Sequence, residues 1–362
     1  MFFLRAVLFL FVFTLLFFLF KRIYRLVLKL NIKNSFFSWG IPILPIMLFL
    51  VFFFIDAING LIVFLHFFVF LLLFDLLGFI IKKVFKKNLG DFARLMGAFI
   101  ITFFYLSYGY YLAHHVVETH YVIKTTKDIG VDLFRIVQIT DSHIGSTMDG
   151  DRFISYMERI NKTSPDVVVI TGDYIDDDTS KEDMIKACSG LGQLKTKYGV
   201  YFVFGNHDKG YFNYRGYNES DLRLELIKNH VVLLEDQSID LLENLTLIGR
   251  QDAQTKNRMS AQELTQDLDE QKYSLVLDHE PNDYTQESEA GMDLVLSGHT
   301  HGGQLLPMKY ISKLFNIDDQ SYGLQKRKNT TFLVSSGIGN WTIQFKTGTV
   351  AEYVVIDLIN KK

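Results

Sequence analysis

The 362-residue sequence predicts an all-α four-helix transmembrane region followed by an α/β domain, with a mainly parallel sheet and helices on both faces. Three observations predict this. Four long apolar runs fill the first 113 residues. Beyond residue 133, short apolar runs alternate with helical stretches, as in repeated βαβ units. Five of the short runs end at once in Asp, Asn or His, the residue types that carry chemistry.

A membrane-spanning helix needs about 20 mostly apolar residues. Residues 2–20 qualify, with Arg5 as their one charge. Residues 36–55 and 58–81 follow, with a short break marked by Asp56, Asn59 and Gly60. Residues 92–113 form the fourth span, diluted by Arg94 and several tyrosines. Pro42 and Pro45 should kink or shorten the second span. Phe18-Leu19-Phe20 offers no small-residue cleavage site, and Lys/Arg follow the apolar run, so residues 2–20 read as a span rather than a cleaved leader. Ionisable groups inside spans are functional candidates. Here His66 reads as a packing residue and Asp75 as a group that reaches the interface.

Orientation follows from basic residues in the short loops. Lys21, Arg22, Arg25, Lys29 and Lys33 crowd the first loop, and Lys82, Lys83, Lys86 and Lys87 the third; the second has none. Loops one and three should face the cytoplasm. With four spans the α/β domain of this multi-pass cell-membrane protein is then extracytoplasmic. Residues 114–132 read as a connector and 133–362 as one domain.

Residues 1–120 hold 11 Lys/Arg and 4 Asp/Glu, whereas residues 121–362 hold 26 and 36. An acidic soluble half argues against nucleic acid as a partner. The single Cys188 excludes an intrachain disulfide.

In the second half, residues 134–140 run into Asp141-Ser142-His143, 166–171 into Gly172-Asp173, and 199–204 into Gly205-Asn206-His207-Asp208. Residues 273–277 run into Asp278-His279, and 292–296 into Ser297-Gly298-His299-Thr300-His301-Gly302-Gly303-Gln304. Helical stretches at 151–163 and 181–197 separate the first three, and two more strands lie at 331–335 and 351–358. Ligands of such sheets collect at the carboxyl ends of the strands, so the five motifs read as one site. Its donors mix oxygen and imidazole without thiolate, which suits Mn, Fe, Zn or Co rather than Ca. A single histidine such as His230 reads as packing, but seven metal-capable groups at strand ends do not. No phosphate-cradling P-loop occurs.

The ordered set D-x-H, G-D, G-N-H-D, H, G-H-x-H resembles the calcineurin-like metallophosphoesterases over about residues 134–358. Gly-Asn-His-Asp and Gly-His-Thr-His-Gly-Gly-Gln look like the bacterial subgroup of membrane-associated or exported phosphohydrolases, related to the UDP-2,3-diacylglucosamine hydrolases. The resemblance implies central β-sheets flanked by helices and two divalent metal ions. It implies Asp141, His143 and His301 at one ion, Asn206, His279 and His299 at the other, and Asp173 bridging both. It implies attack on phosphorus by a hydroxide between the ions. His207 would act as acid or charge stabiliser, oriented by Asp208, and Asp176 would support a ligand. His299 and His301, two residues apart, point to opposite faces of an extended segment, so a sharp loop at Gly302-Gly303 is needed for both to converge. The segment 338–346 departs from the subgroup by lacking Pro-x-Arg, which bears on substrate contacts rather than hydrolysis.

Residues 211–217 and 309–315 are rich in aromatics and bases. They read either as a rim for lipid or as ordinary loop packing. The combined expectation is a membrane-anchored, dinuclear-metal-dependent phosphohydrolase, monoesterase or diesterase. Its partners are the lipid bilayer and a phosphate ester, lipid-linked or envelope-derived. A second reading keeps the fold as a phospho-ligand sensor or scaffold without turnover; the intact His207 argues against it.

Overall fold

The computed structural model describes residues 2–32, 34–211 and 215–361, with side chains from Leu10 onward. It comprises two compact units, Met1–Tyr108 and Gly109–Lys362.

Four helices run along the first part of the chain: α1 (Phe2–Lys29), α2 (Ser35–Ile55), α3 (Ala57–Phe85) and α4 (Asp91–His114), whose last residues belong to the second unit. Asn34 caps α2 by accepting from the Phe36 N–H, and Asp56 caps α3 by accepting from the Asn59 N–H. Both supply side-chain acceptors to N–H groups that a helix start leaves unpaired. Pro42 and Pro45 lie inside α2. Leu16, Leu19, Phe64, Phe68, Leu71 and Ala98 form the buried cluster of this unit.

Among the described residues three helices, α2, α3 and α4, are long and apolar enough to cross a membrane by length and composition. Four were expected. The expected span at 2–20 falls in α1, where the side chains of residues 2–9 are outside the described set. That helix runs on through Lys21, Arg22 and Arg25 to Lys29, so the basic residues expected in a first loop are mostly helical. Asp75 also differs from expectation. It accepts two hydrogen bonds from Arg22, at 2.6 and 2.7 Å, and one from Arg94 at 3.0 Å, so it is ion-paired within its own unit. His66 Nδ1 lies 2.8 Å from the Ile62 carbonyl, in keeping with a packing residue.

The second unit contains β1 (Val117–Thr125), β2 (Leu133–Ile139), α5 (Gly150–Asn161), β3 (Val167–Thr171), α6 (Lys181–Gly192), β4 (Val200–Val203), α7 (Glu219–Lys228) and β5 (Val231–Leu233). It continues with β6 (Gln237–Leu242), β7 (Leu245–Gly249), α8 (Ala261–Thr265), β8 (Tyr273–Leu277), α9 (Tyr284–Glu289), β9 (Leu294–Ser297), α10 (Met308–Phe315), β10 (Gly323–Arg327), β11 (Thr330–Val334) and β12 (Glu352–Asn360). The strands form two six-stranded sheets, in the orders β1-β12-β2-β3-β4-β5 and β10-β11-β9-β8-β7-β6. β2 to β5 are parallel, and β12 is antiparallel to β2. In the second sheet β7, β8, β9 and β11 are parallel, with β6 and β10 antiparallel at the edges.

Strand residues alternate between two cores, as a two-residue period dictates. Ile136, Val167 and Val169 join Leu247, Leu275 and Leu296 between the sheets. Val137, Val168 and Ile170 join Phe153, Met157 and Leu191 from α5 and α6 on the outer face. Each central strand is thus buried on both sides, which is why these strands read as continuous apolar runs. The expected fold, central sheets flanked by helices, is present. It is divided over two mixed sheets rather than one mainly parallel sheet.

Part of the expected connector is also strand. Residues 117–125 form β1, paired in parallel with β12. Its residues alternate between half-buried and exposed until Ile123 and Thr125 are buried, the pattern of an edge strand.

Candidate metal centre

The loops that follow β2, β3 and β4 of one sheet and β8 and β9 of the other carry the five motifs. They bring two groups of candidate ligands together: Asp141, His143 and His301, and Asp173, His279 and His299, with the ligand atoms of each group within 4.8 Å of one another. The chain bends hard to do this. Asp141, His143, Asp173, His299 and His301 all have φ between +39° and +68°. Left-handed backbone is unfavourable for residues with a Cβ and collects at functional sites, where surrounding packing holds it. The expected sharp loop at Gly302-Gly303 is present as a short turn at His301–Gly303, with both glycines at positive φ, and His299 and His301 take up left-handed backbone as well.

The polar atoms are arranged as ligands without partners of their own. His279 Nδ1 lies 2.7 Å from the Thr171 carbonyl, which can only accept, so Nδ1 carries the proton. Nε2 faces Asp173 Oδ2 at 3.2 Å; burial opposes charge on the ring, but the Asp173 carboxylate raises its pKa well above the ordinary histidine value. A proton on Nε2 holds the two together, and a divalent ion bound there would take that proton's place. Asp173 Oδ2 also lies 3.6 Å from His143 Nε2, while its Oδ1 accepts from the His207 N–H at 2.9 Å. Asn206 donates through Nδ2 to the Tyr211 hydroxyl at 2.8 Å, which leaves its Oδ1 buried without a hydrogen bond. His143 Nε2, His279 Nε2, His299 Nδ1 and His301 Nδ1 are buried and without hydrogen bonds as well. Orphaned buried acceptors of this kind are costly unless a ligand fills them. The donor set therefore fits a pair of divalent ions.

Electrostatics reinforce the picture. Burial alone would raise the Asp173 carboxyl, but the neighbouring His279 and His143 hold it well below the usual carboxylate range. Burial pushes Asp141 up. It also drives His301 well below the ordinary histidine value, aided by His143 and the Lys346 charge. Asp141 receives the His299 N–H at 2.9 Å, tying the first motif to the last. Close approach of the loops requires glycine at 205: a Cβ there would lie 2.3 Å from Asp173 Oδ1 and 2.8 Å from His279 Nε2.

His207 sits beside this group, its ring 5.0 Å from His143 and 5.2 Å from both Tyr211 and Trp341. Burial lowers its pKa. Asp208 departs from expectation. Its carboxylate does not orient His207 but accepts from the backbone N–H groups of Asp173, Tyr174, Ile175 and Gly205, at 2.8 to 3.1 Å. It clamps the β3 and β4 loops to each other. Asp176 Oδ2 lies 3.3 Å from His143 Nδ1, the supporting position expected.

The aromatic stretch at 211–217 is only partly described, since residues 212–214 lie outside the described set. Of the two readings for this stretch, Arg215 and Tyr217 fit loop packing, since both are buried; Arg215 donates to the Asp208 carbonyl at 3.0 Å. Lys346 was not foreseen. It is fully buried, donates to the Ser336 carbonyl, and is pushed down to about 8 by burial. A lysine in a polar loop carries no sequence signal of burial.

Comparison with known proteins bears on this site. The calcineurin-like phosphoesterase family matches residues 134–303. An uncharacterized metallophosphoesterase of Helicobacter pylori is 31% identical over 290 residues, covering 76% of this chain and 73% of that one. One of Campylobacter jejuni is 33% identical over 235 residues, covering 63% of this chain; the chain spans 60% of that relative's length. A Danio rerio transmembrane protein with metallophosphoesterase domain is 27% identical over 284 residues, covering 74% of this chain and 63% of that one. Five ordered motifs, two groups of convergent ligands and a 31%-identical relative matched over 73% of its length all lead to one conclusion: the chain belongs to the calcineurin-like metallophosphoesterases.

Proposed function

We propose that the chain is a membrane-anchored, dinuclear-metal-dependent phosphohydrolase acting on a phosphate ester. The observation that carries this reading is the convergence of Asp141, His143 and His301, and of Asp173, His279 and His299, each group with its ligand atoms within 4.8 Å of one another and with unpartnered buried polar atoms around them. Asp141, His143 and His301 would hold one ion, Asn206, His279 and His299 the other, and Asp173 both. Two such ions supply positive charge to the phosphoryl oxygens and acidify a water to a nucleophile at neutral pH. His207, held by its backbone bond to Asp173, would donate a proton to the leaving oxygen or stabilise phosphoryl charge. Trp341 and Tyr211 flank the His207 ring and would limit water there.

Residues 1–113 would anchor the protein, and residues from 117 onward would form the catalytic domain, β1 included. The basic segments 21–33 and 82–87 favour the cytoplasmic side. Helix α4 would then lead outward, whether or not α1 crosses, because the first basic segment ends α1 and stands before α2. On this reading the catalytic domain lies outside the cytoplasm, with envelope-derived or lipid-linked esters within reach.

The test is metal removal and return. Chelator-stripped protein should lose turnover of aryl phosphate mono- and diesters, and Mn, Fe, Zn or Co should restore it with two ions bound per chain. Turnover that survives full stripping overturns the reading. Two ions bound without turnover of any ester favours the sensor.

A further inference from the structure

Helix α10 is amphipathic in the wrong sense for a soluble domain. Ser312 is its buried residue, and it donates to Asp318 Oδ2 at 2.8 Å. Leu306, Met308, Tyr310, Leu314, Phe315 and Ile317 are 37% to 75% exposed. Single exposed apolar residues are ordinary, but six within twelve positions mark an interaction surface.

Two observations name what covers it. The first is position. The Leu306 N–H donates to Thr347 Oγ1 at 2.9 Å, and the neighbouring Lys346 N–H donates to the Gly109 carbonyl at 2.9 Å. Gly109 lies in α4, one of the three helices apolar enough to cross a membrane. The apolar segment therefore starts beside the end of a candidate span. The second is charge. Lys309 and Lys313 flank the apolar residues and line a cavity of about 810 Å³, in whose wall Asp318 also lies and Asp319 pairs with Arg327 at 2.8 Å. Bases beside exposed apolar side chains fit a lipid surface with anionic headgroups.

The cavity adjoins the candidate metal centre. Its wall residues Asp319 and Ser321 are bonded to the ligand loops: the Asp319 N–H donates to the Pro281 carbonyl at 2.9 Å, and Thr300 Oγ1 donates to the Ser321 carbonyl at 2.6 Å. Gly303 fixes α10 against the histidine loop. Its φ is +73°, and a Cβ there would lie 2.8 Å from the Lys309 backbone.

We propose that residues 306–317 are an interfacial segment seated in the bilayer surface, so that the adjoining site takes an amphipathic phosphate ester from the membrane. The second half of this statement rests on the phosphohydrolase reading; the first does not.

The test separates the two. Cys188 is the chain's one cysteine and is buried, so a thiol introduced by Leu314→Cys is the accessible one. The full chain, labelled there with a fluorophore, is reconstituted into phosphatidylcholine–phosphatidylglycerol vesicles carrying quenchers on their acyl chains. Strong quenching is expected at 314 and little at a Leu224→Cys control on α7, which is also exposed. Equal quenching at both sites overturns the interfacial seat, whether or not the protein turns anything over. For the substrate, Leu314→Ser combined with Phe315→Ser should lower kcat/KM for a long-chain phosphate ester, relative to a soluble aryl phosphate, by about tenfold or more. An unaltered ratio overturns the substrate class. Failure of the unmutated protein to hydrolyse either ester rejects the phosphohydrolase reading instead.

Discussion

Asp173 divides its two oxygens between different tasks: one accepts from the His207 backbone, and the other faces His279 and His143. Asp173→Asn removes the charge that two adjacent cations need between them. Metal content, read by elemental analysis, and turnover should fall together; near-normal activity with two ions bound would sink the bridging assignment. His207 differs because its ring touches other rings and no candidate ligand oxygen. His207→Gln should keep both ions and lose about 10²–10⁴ in kcat. Loss of metal in step with activity would make it a ligand. Asp208→Ala leaves four buried N–H groups without an acceptor, and each orphan costs about 1–3 kcal/mol. Denaturation should show a loss of about 3 kcal/mol or more, and an unchanged midpoint would refute the clamp. The candidate ligands were legible in the sequence because ligation selects side-chain types. The role of Asp208 was not, because its partners are backbone groups, which leave no trace in residue identity. The same holds for the left-handed backbone of His299 and His301, which packing imposes and side-chain type does not reveal.

The strands and helices from β2 to β4 followed from apolar runs and their spacing. The division into two sheets did not, because β8 and β9 are as uniformly apolar as β2 and β3. A strand buried on both faces looks the same whichever sheet it joins. β1 was read as connector because its half-exposed alternation includes Glu118, His120 and Lys124. The tight fit between the β3, β4 and β8 loops leads to a further expectation. Gly205→Ala would force a methyl against Asp173 Oδ1 and His279 Nε2. Metal affinity should drop by about 10- to 100-fold while far-UV circular dichroism stays the same. Normal metal titration would show that the loops have more room than the structure gives them.

The chain pairs a basic apolar part with an acidic α/β one, and that division was plain from composition. Three candidate spans stand among the described residues where four were expected, and α1, which runs on through its own basic residues, is described with side chains only from Leu10. Orientation is testable directly. A reporter active only outside the cytoplasm should be on when fused to the C-terminus and off when fused after Arg25; the reverse pattern would put the catalytic domain inside. The pairing of β1 has a consequence for how the protein is made. β12 lies between β1 and β2, and His120 meets Asp357 across a separation of 237 residues. A ribosome delivers β1 and β2 early, yet the place between them stays empty until residue 360 has emerged. Throughout synthesis the nascent domain carries two open strand edges, and for that interval they are templates for pairing with another chain.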